Sequence, residues 1–359
     1  MSSPTEPSAR LESLDALRGA ALLGVFVENA QHFFSPTYRE LVARPGAGLA
    51  DSTALWLIQI FCENKVYALF ALLFGYGIAL QMARTGPRFV ALHVWRMAIL
   101  FLIGLFHQAL LWSGDILATY AILGLLLLPL RERAMRVLEC AACVALATPT
   151  LVLAAITAAA PALASGVLAS AGVTTAFVEF SYPGRQALFA FAMFLLGLVA
   201  GRARGRADNP VRALRRHLPV LMAVGIAGSF AHVALVNLSG ASITSWTGVL
   251  AEALIAIAGP ALALAYAGLV LRALERPRWQ SALAPLAAAG RLSLTNYLMQ
   301  SLIGVALLGR LGEIHLPAAI ALTCALYGLQ VAASGWWLTR FRFGPVEWLW
   351  RALSYGRLP

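Results

Sequence analysis

The chain has 359 residues, of which 60% are hydrophobic and only 12% charged, too little polar surface to cover a water-soluble domain. Its net charge of +11 is carried by arginines that flank apolar runs. That is the pattern of membrane topology and of contact with anionic lipid heads, and it excludes nucleic acid as the partner.

Ten apolar runs of the length that crosses a hydrocarbon core of roughly 30 Å recur along the chain. They predict helices at 14–34, 64–83, 92–112, 116–130, 135–159, 184–201, 215–237, 247–271, 293–310 and 316–338, the fourth of them short. Alternating polarity is absent, so a β-barrel is not a competing reading. The expected fold is all-α: one polytopic domain of about ten transmembrane helices in a bacterial cytoplasmic membrane. With a cytoplasmic N-terminus, 22 of the 26 arginines fall inside and only Arg39, Arg44, Arg185 and Arg310 outside, so both termini are expected in the cytoplasm. No signal-peptide pattern precedes the first helix, which is expected to stay in the mature protein.

Residues 1–13 read as a cytoplasmic tail. In the first helix Asp15 and Arg18 are three apart and suited to pair, while Asp15 is also suited to cap the helix. Glu28, Asn29 and His32 lie in its last two turns, with Glu28 and His32 four apart on one face. That spacing lets a carboxylate orient an imidazole. Segment 35–63 opens as a loop rich in Pro, Arg and Gly and ends in ALWLIQIF, too short to span; it is expected at the interface or as a re-entrant piece. The second helix opens on Glu63, Asn64 and Lys65, the last being the only lysine in the chain. Residues two apart point to different helix faces, so either the helix starts between Glu63 and Lys65 or each has its own partner; a structural ion pair or interfacial flank is the plainer reading.

His107 lies about one turn from the outer end of the third helix, and Asp115 follows in the turn LLWSGDILATY. The acid is placed either to orient the imidazole or to cap the fourth helix. Cys140 and Cys143 have CxxC spacing in an alanine-rich helix without His or further Cys nearby, which reads as packing rather than as a metal or redox site. Residues 160–183 read as an outer loop. The basic stretch 202–214 divides the helices of 14–201 from those of 215–338 and has the composition of a linker between two bundles. No internal repeat is visible, which weighs against an inverted-repeat transporter. Glu252 lies in the first two turns of the eighth helix. The ninth opens with GRLSLTNYLMQS, where Ser293, Thr295, Asn296 and Gln300 serve either as interhelical glue or as a polar channel wall. The tail, 339–359, fits an interfacial amphipathic helix after Gly344-Pro345.

An ionisable side chain inside a span costs roughly 2.5–3.5 kcal/mol on insertion scales and needs a partner or a wet cavity. By depth, Glu28, Asn29, His32, Glu63, Lys65, His107, Asp115 and Glu252 converge on one extracytoplasmic layer, although they are far apart in sequence.

The blocks RLESLDALRGAALLGVFVEN, ENKVYALFALLFGYG, HQALLWSGDILATYAILGLLLLPLR, GRLSLTNYLMQS and RFRFGPVEWLWRALSYGR together resemble the YeiB-like membrane proteins that carry the domain of unknown function 418. The LD-x-LRG opening also resembles the wider transmembrane acyltransferase superfamily. In its acyltransferase-3 branch an arginine of the first helix is followed eleven positions later by the catalytic histidine; Arg18 fits, but Asn29 stands where that histidine belongs. The heparan-glucosaminide N-acetyltransferase branch likewise has asparagine there, with its histidine further along than His32. The resemblance implies acyl transfer from a cytoplasmic donor, with acyl-coenzyme A as co-substrate and no tightly bound cofactor or metal. The acceptor would be a hydroxyl or amine of an envelope glycan, lipid or small molecule. In that scheme His107 or His32 is the base, oriented by Asp115 or Glu28. Asn29 and Lys65, with Glu63 in the same layer, meet the charge at the acyl carbonyl, while Arg18, Asn296 and Gln300 contact the donor. The other reading is a transporter or permease with a polar site in the outer half of the bundle.

Overall fold

A computed structural model describes residues 7–34, 48–112, 114–164, 173–204, 210–238, 245–307, 310 and 314–356, with the backbone alone at 7–11, 34, 160–164, 173–183, 210 and 238. Among these residues there are thirteen α-helices and no strand: α1 (Pro7–Phe34), α2 (Leu49–Phe61), α3 (Lys65–Thr85), α4 (Phe89–Leu110), α5 (Leu117–Leu126), α6 (Met135–Ala164), α7 (Val173–Arg202), α8 (Pro210–Leu238), α9 (Trp246–Ala273), α10 (Pro277–Arg291), α11 (Ser293–Ala306), α12 (Leu316–Leu338) and α13 (Pro345–Tyr355). A helix satisfies its own backbone donors and acceptors, so it is the form an apolar run takes in hydrocarbon. Six described stretches are long and apolar enough to cross a membrane: Leu49–Leu110, which takes in α2, α3 and α4, then Met135–Ala159, Gly184–Arg202, Val211–Asn237, Trp246–Ala273 and Leu316–Leu338. The remaining expected spans correspond to α1, α5 and α11, which are shorter or more polar. The large apolar side chains left on the outside, such as Phe106, Leu110, Val144 and Leu151, are those a lipid-facing surface carries.

The differences from the sequence reading have local causes. α1 begins at Pro7, so Asp15 lies inside the helix and caps nothing; it pairs with Arg18 at 2.9 Å. Residues 160–183 are not a loop throughout, because α6 runs to Ala164 and α7 starts at Val173. α10 occupies the stretch between the expected eighth and ninth spans: it starts with Pro277 in its first turn, where a missing N–H costs nothing, and continues through an alanine-rich run. The loop holding Arg39 and Arg44, the centre of the basic linker and residues 357–359 lie outside the described residues.

Small residues set the closest approaches. A side chain at Gly290 would run into the Asp15 carbonyl, and one at Gly19 into that of Leu286, so α10 lies with its backbone against α1. Gly75 and Gly197 join α3 to α7 in the same way. Phe74, Tyr120 and Phe194 fill the core beside that seam, with ring centroids 4.9–5.5 Å apart. α8 and α9 pair with each other and rest on α2, α3 and α6, whereas α10 and α12 flank α1.

These contacts give the bundle two distinct ends. One holds the start of α1, the ends of α5, α7 and α10, and α13. There Arg202 donates to the carbonyls of Arg131 and Arg133, Arg215 pairs with Glu275, and Arg291 donates to the Arg342 carbonyl. The other holds the ends of α1 and α4 and the start of α12, where Phe33 packs on Trp112 at 5.1 Å and on Gly304.

α2 leads inward from the second end of the bundle, and α3 carries the chain on toward the arginine-rich end, where Gly77 faces Arg18. Asp51, in the first turn of α2, accepts from the Leu316 backbone N–H at 2.7 Å and lies 2.8 Å from His315 Nδ1, which fixes it at the second end of the bundle. At the far end of α2 Tyr266 of α9 donates to the Phe61 carbonyl at 2.7 Å. The turn that follows puts Val66 against Gly24, near the middle of α1.

Candidate functional site

His107 occupies the last turn of α4, and the chain then bends back into α5 through Asp115. The bend is tight because Gly104 has no side chain: a Cβ there would meet the Ala118 nitrogen and an oxygen of Asp115. In this corner the Asp115 carboxylate has two tasks. Oδ1 lies 2.8 Å from His107 Nδ1, and Oδ2 accepts from the Ala118 N–H at 2.8 Å, which caps α5. The orienting and capping roles that the sequence left as alternatives are both filled, one by each oxygen. The two side chains are 1% and 0% exposed. An ionised Asp115 accepts the Nδ1 proton, which leaves the lone pair of the neutral imidazole on Nε2. That Nε2 is buried and has no hydrogen-bond partner among the described residues.

Tyrosines line the inner side of the pair. The Tyr297 ring centroid is 5.3 Å from that of His107, and its hydroxyl accepts from the Ile116 N–H at 3.4 Å. Tyr120 donates to the Tyr67 carbonyl at 3.3 Å, with the two rings 5.6 Å apart. Tyr120 is also within electrostatic range of Tyr297 and of Glu28.

Glu28 connects this wall to the α2–α3 turn. α3 begins at Lys65, so the helix does start between Glu63 and Lys65. Asn64, before it, is in the left-handed region at φ 65°, unusual for a residue with a side chain. Lys65 is completely buried and donates to the Gln59 carbonyl at 2.6 Å. Glu63 and Glu28 lie within electrostatic range of its ammonium. Because α2 leads inward before α3 begins, this group sits near the middle of α1, beside Gly24, deeper than the outer end of a simple span. Beyond it His232 Nδ1 is 2.8 Å from the Ala251 carbonyl, within range of Glu63 and Lys65, and Arg185 pairs with Glu252 at 3.2 Å.

Two groups of the expected residues thus meet, His107 with Asp115 in the α4–α5 bend and Lys65 with Glu28 and Glu63 deeper in the bundle, while Glu252 pairs with Arg185. The structure leaves other expected site residues elsewhere. His32 is exposed, with its ring 6.3 Å from that of Trp112, and Asn29 is half-buried one turn earlier on α1. Arg18 stands at the arginine-rich end, paired with Asp15 and facing Gly77. Asn296 and Gln300 act as clasps between helices. Asn296 donates to the Ala289 carbonyl and to Ser334 Oγ, both at 3.0 Å, and Gln300 donates to Gln330 Oε1 at 3.3 Å and to the Leu22 carbonyl at 3.4 Å. Gln300 Oε1 is buried with no partner among the described residues. The sequence reading missed Tyr67, Tyr120 and Tyr297, since a tyrosine within an apolar helix carries no pattern that separates it from the core. It also missed the Asp51–His315 contact, whose partners are 264 positions apart.

Residues 201–357, from the end of α7 onward, match the family described as "Protein of unknown function (DUF418)". Over nearly its whole length the chain is similar to three uncharacterized proteins. It is 29% identical to YxaH of Bacillus subtilis, covering 98% of this chain and 96% of the relative. It is 30% identical to a 39.9 kDa protein in the amylase 3' region of Bacillus acidopullulyticus, covering 99% and 96%. It is 28% identical to YeiB of Escherichia coli, covering 95% of each. No solved structure matches the chain.

Proposed function

From the premise that this chain belongs to the DUF418 family, we propose that it is a membrane acyltransferase that carries an acyl group from a cytoplasmic thioester to a hydroxyl or amine on the far side. The observation that carries the reading is His107: one ring nitrogen faces a buried carboxylate, and the other is buried without a partner. A base held in this way is what a transfer to a weak nucleophile needs. In this reading the Arg202 and Arg291 end faces the cytoplasm, as the excess of arginine there favours, and the His107 end faces the opposite side.

In the proposed reaction His107 Nε2 takes the proton of the acceptor O–H or N–H, and the freed oxygen or nitrogen attacks the thioester carbonyl carbon. The tetrahedral oxyanion collapses as the C–S bond breaks, and the imidazolium returns its proton to the leaving thiolate. The products are an ester or amide and a free thiol. Asp115 holds the tautomer throughout and favours the imidazolium. Tyr297 and Lys65 supply the polar hydrogens of the surrounding layer, and Arg18 awaits the donor's phosphates at the cytoplasmic face.

The ionisable layer around Lys65 supports a second reading, proton-coupled transport of a small molecule or lipid, because it holds more charge than acyl transfer requires. Incubating the purified protein in liposomes with radiolabelled acyl-coenzyme A of several chain lengths separates the two. Thioester binding and consumption by the wild type support the enzyme. Their absence at every chain length refutes it and leaves transport as the reading to pursue.

A further inference from the structure

α13 folds back along the start of α4 and brings its aromatic face to two arginines. Two indoles fix the contact: Trp350 Nε1 donates to the Arg96 carbonyl at 3.1 Å, and Trp95 Nε1 donates to the Leu353 carbonyl at 2.8 Å. The Arg96 guanidinium carbon stands 4.1 Å over the Trp350 ring, and its NH1 donates to the Tyr355 hydroxyl at 3.4 Å. Arg351, on α13 itself, stands 4.3 Å over Phe343. Both guanidinium carbons also lie close to one ring, 5.9 and 5.7 Å from the Tyr355 centroid, and the two cations are within electrostatic range of each other.

Two neighbouring guanidiniums repel unless an anion stands between them. Among the described residues neither has a carboxylate partner, and the Nε of each is buried without a hydrogen-bond acceptor. The acid of α13 is committed elsewhere: Glu347 accepts from the N–H groups of Leu294 and Thr295 at 2.7 and 3.0 Å and from the Thr295 hydroxyl at 2.5 Å. His93, one turn before Arg96, has its Nε2 3.0 Å from the Gly124 carbonyl. The pair is thus positively charged, held in place by rings, and short of acceptors. Planar guanidinium forks match the oxygens of a phosphate, and aromatic faces orient them for it.

We infer that Arg96 and Arg351, framed by Trp350 and Tyr355, form a phosphate-binding site at the arginine-rich end of the bundle. The phosphate is that of a phospholipid headgroup or of a soluble phosphate ester; exposed Trp348, Leu349 and Leu353 place α13 at headgroup depth, where both have access. The site stands whether or not the protein transfers acyl groups.

The test is native mass spectrometry on the full-length protein, titrated with phosphatidylglycerol, with phosphatidylcholine and with pyrophosphate. Comparison is with the double variants Arg96→Gln/Arg351→Gln and Arg96→Lys/Arg351→Lys. Arg84→Gln/Arg88→Gln, which removes two exposed arginines nearby, is the control. Phosphatidylglycerol retained over phosphatidylcholine and not displaced by pyrophosphate identifies the lipid source; saturable pyrophosphate binding identifies the soluble one. The glutamine pair is expected to weaken the ligand that binds by at least tenfold, the lysine pair by less, and the control by under twofold. Equal binding by wild type and glutamine pair, or an equal loss in the control, overturns the site. Should the glutamine pair fail to fold, phenylglyoxal labelling of the wild type decides: the ligand is expected to slow modification of Arg96 and Arg351 severalfold, and unchanged modification overturns the proposal.

Discussion

Substituting Asp115 by asparagine tests the geometry of the pair more sharply than deleting it. The two oxygens of Asp115 face different partners, the Ala118 N–H at 2.8 Å and His107 Nδ1 at 2.8 Å. An amide has one acceptor and one donor end. The Ala118 N–H is a backbone donor that cannot change, so the amide oxygen settles there and the NH2 group faces Nδ1. His107 must then accept at Nδ1 and carry its proton on Nε2, where it can no longer act as a base. Because the cap of α5 survives, Asp115→Asn is expected to lower stability by only ~1 kcal/mol. Loss of a general base lowers turnover by about 10²–10⁴-fold, roughly 3–5 kcal/mol of barrier. Asp115→Ala removes the cap as well and leaves two buried groups unpaired, for a loss of about 2–4 kcal/mol in stability and a similar loss of turnover. Thermal melting in detergent reads the first quantity and product formation the second. Solid-state ¹⁵N spectra of histidine-labelled protein read the tautomer directly. The reasoning is refuted if Asp115→Asn keeps turnover within about threefold of wild type, or if its Nε2 remains unprotonated.

Lys65 is fully buried and donates to the Gln59 carbonyl, so Lys65→Arg forces a larger, rigid fork into a filled space. It is expected to lower stability by about 1–3 kcal/mol and to reduce function sharply; full function with an unchanged melting temperature shows instead that the position needs only a positive charge. Glu347 holds three donors at the start of α11, and Glu347→Ala is expected to lower stability by ~2 kcal/mol through loss of that cap. Unaltered melting in that variant means the cap is dispensable.

Much of the architecture was legible because the spans are governed by a property each segment carries alone. Apolar length places α4, α9 and α12 without reference to any neighbour, and arginine spacing orders the ends. Glu28, His107 and Asp115 stood out for the same reason, since burying any of them in a span is costly wherever the partner lies. What was not legible depends on tertiary placement. The depth of Lys65 follows from α2 dipping inward, which no count of apolar residues reveals. α10 is too polar to read as a span, yet it packs on α1 through Gly19 and Gly290. Asn296 and Gln300 read equally well as glue or as channel wall, and only the positions of Ser334 and Gln330 show them bonded between helices.

The most direct measurement follows labelled acyl groups from acyl-coenzyme A supplied at the arginine-rich face of oriented proteoliposomes to an envelope fraction on the other side. Wild type is compared with His107→Ala, with folding checked by melting. The account predicts label on the acceptor with wild type and none above background with His107→Ala, in protein that inserts and melts normally. Equal label from both contradicts His107 as the base and directs attention to His32. No transfer from wild type under conditions that support binding contradicts acyl transfer itself.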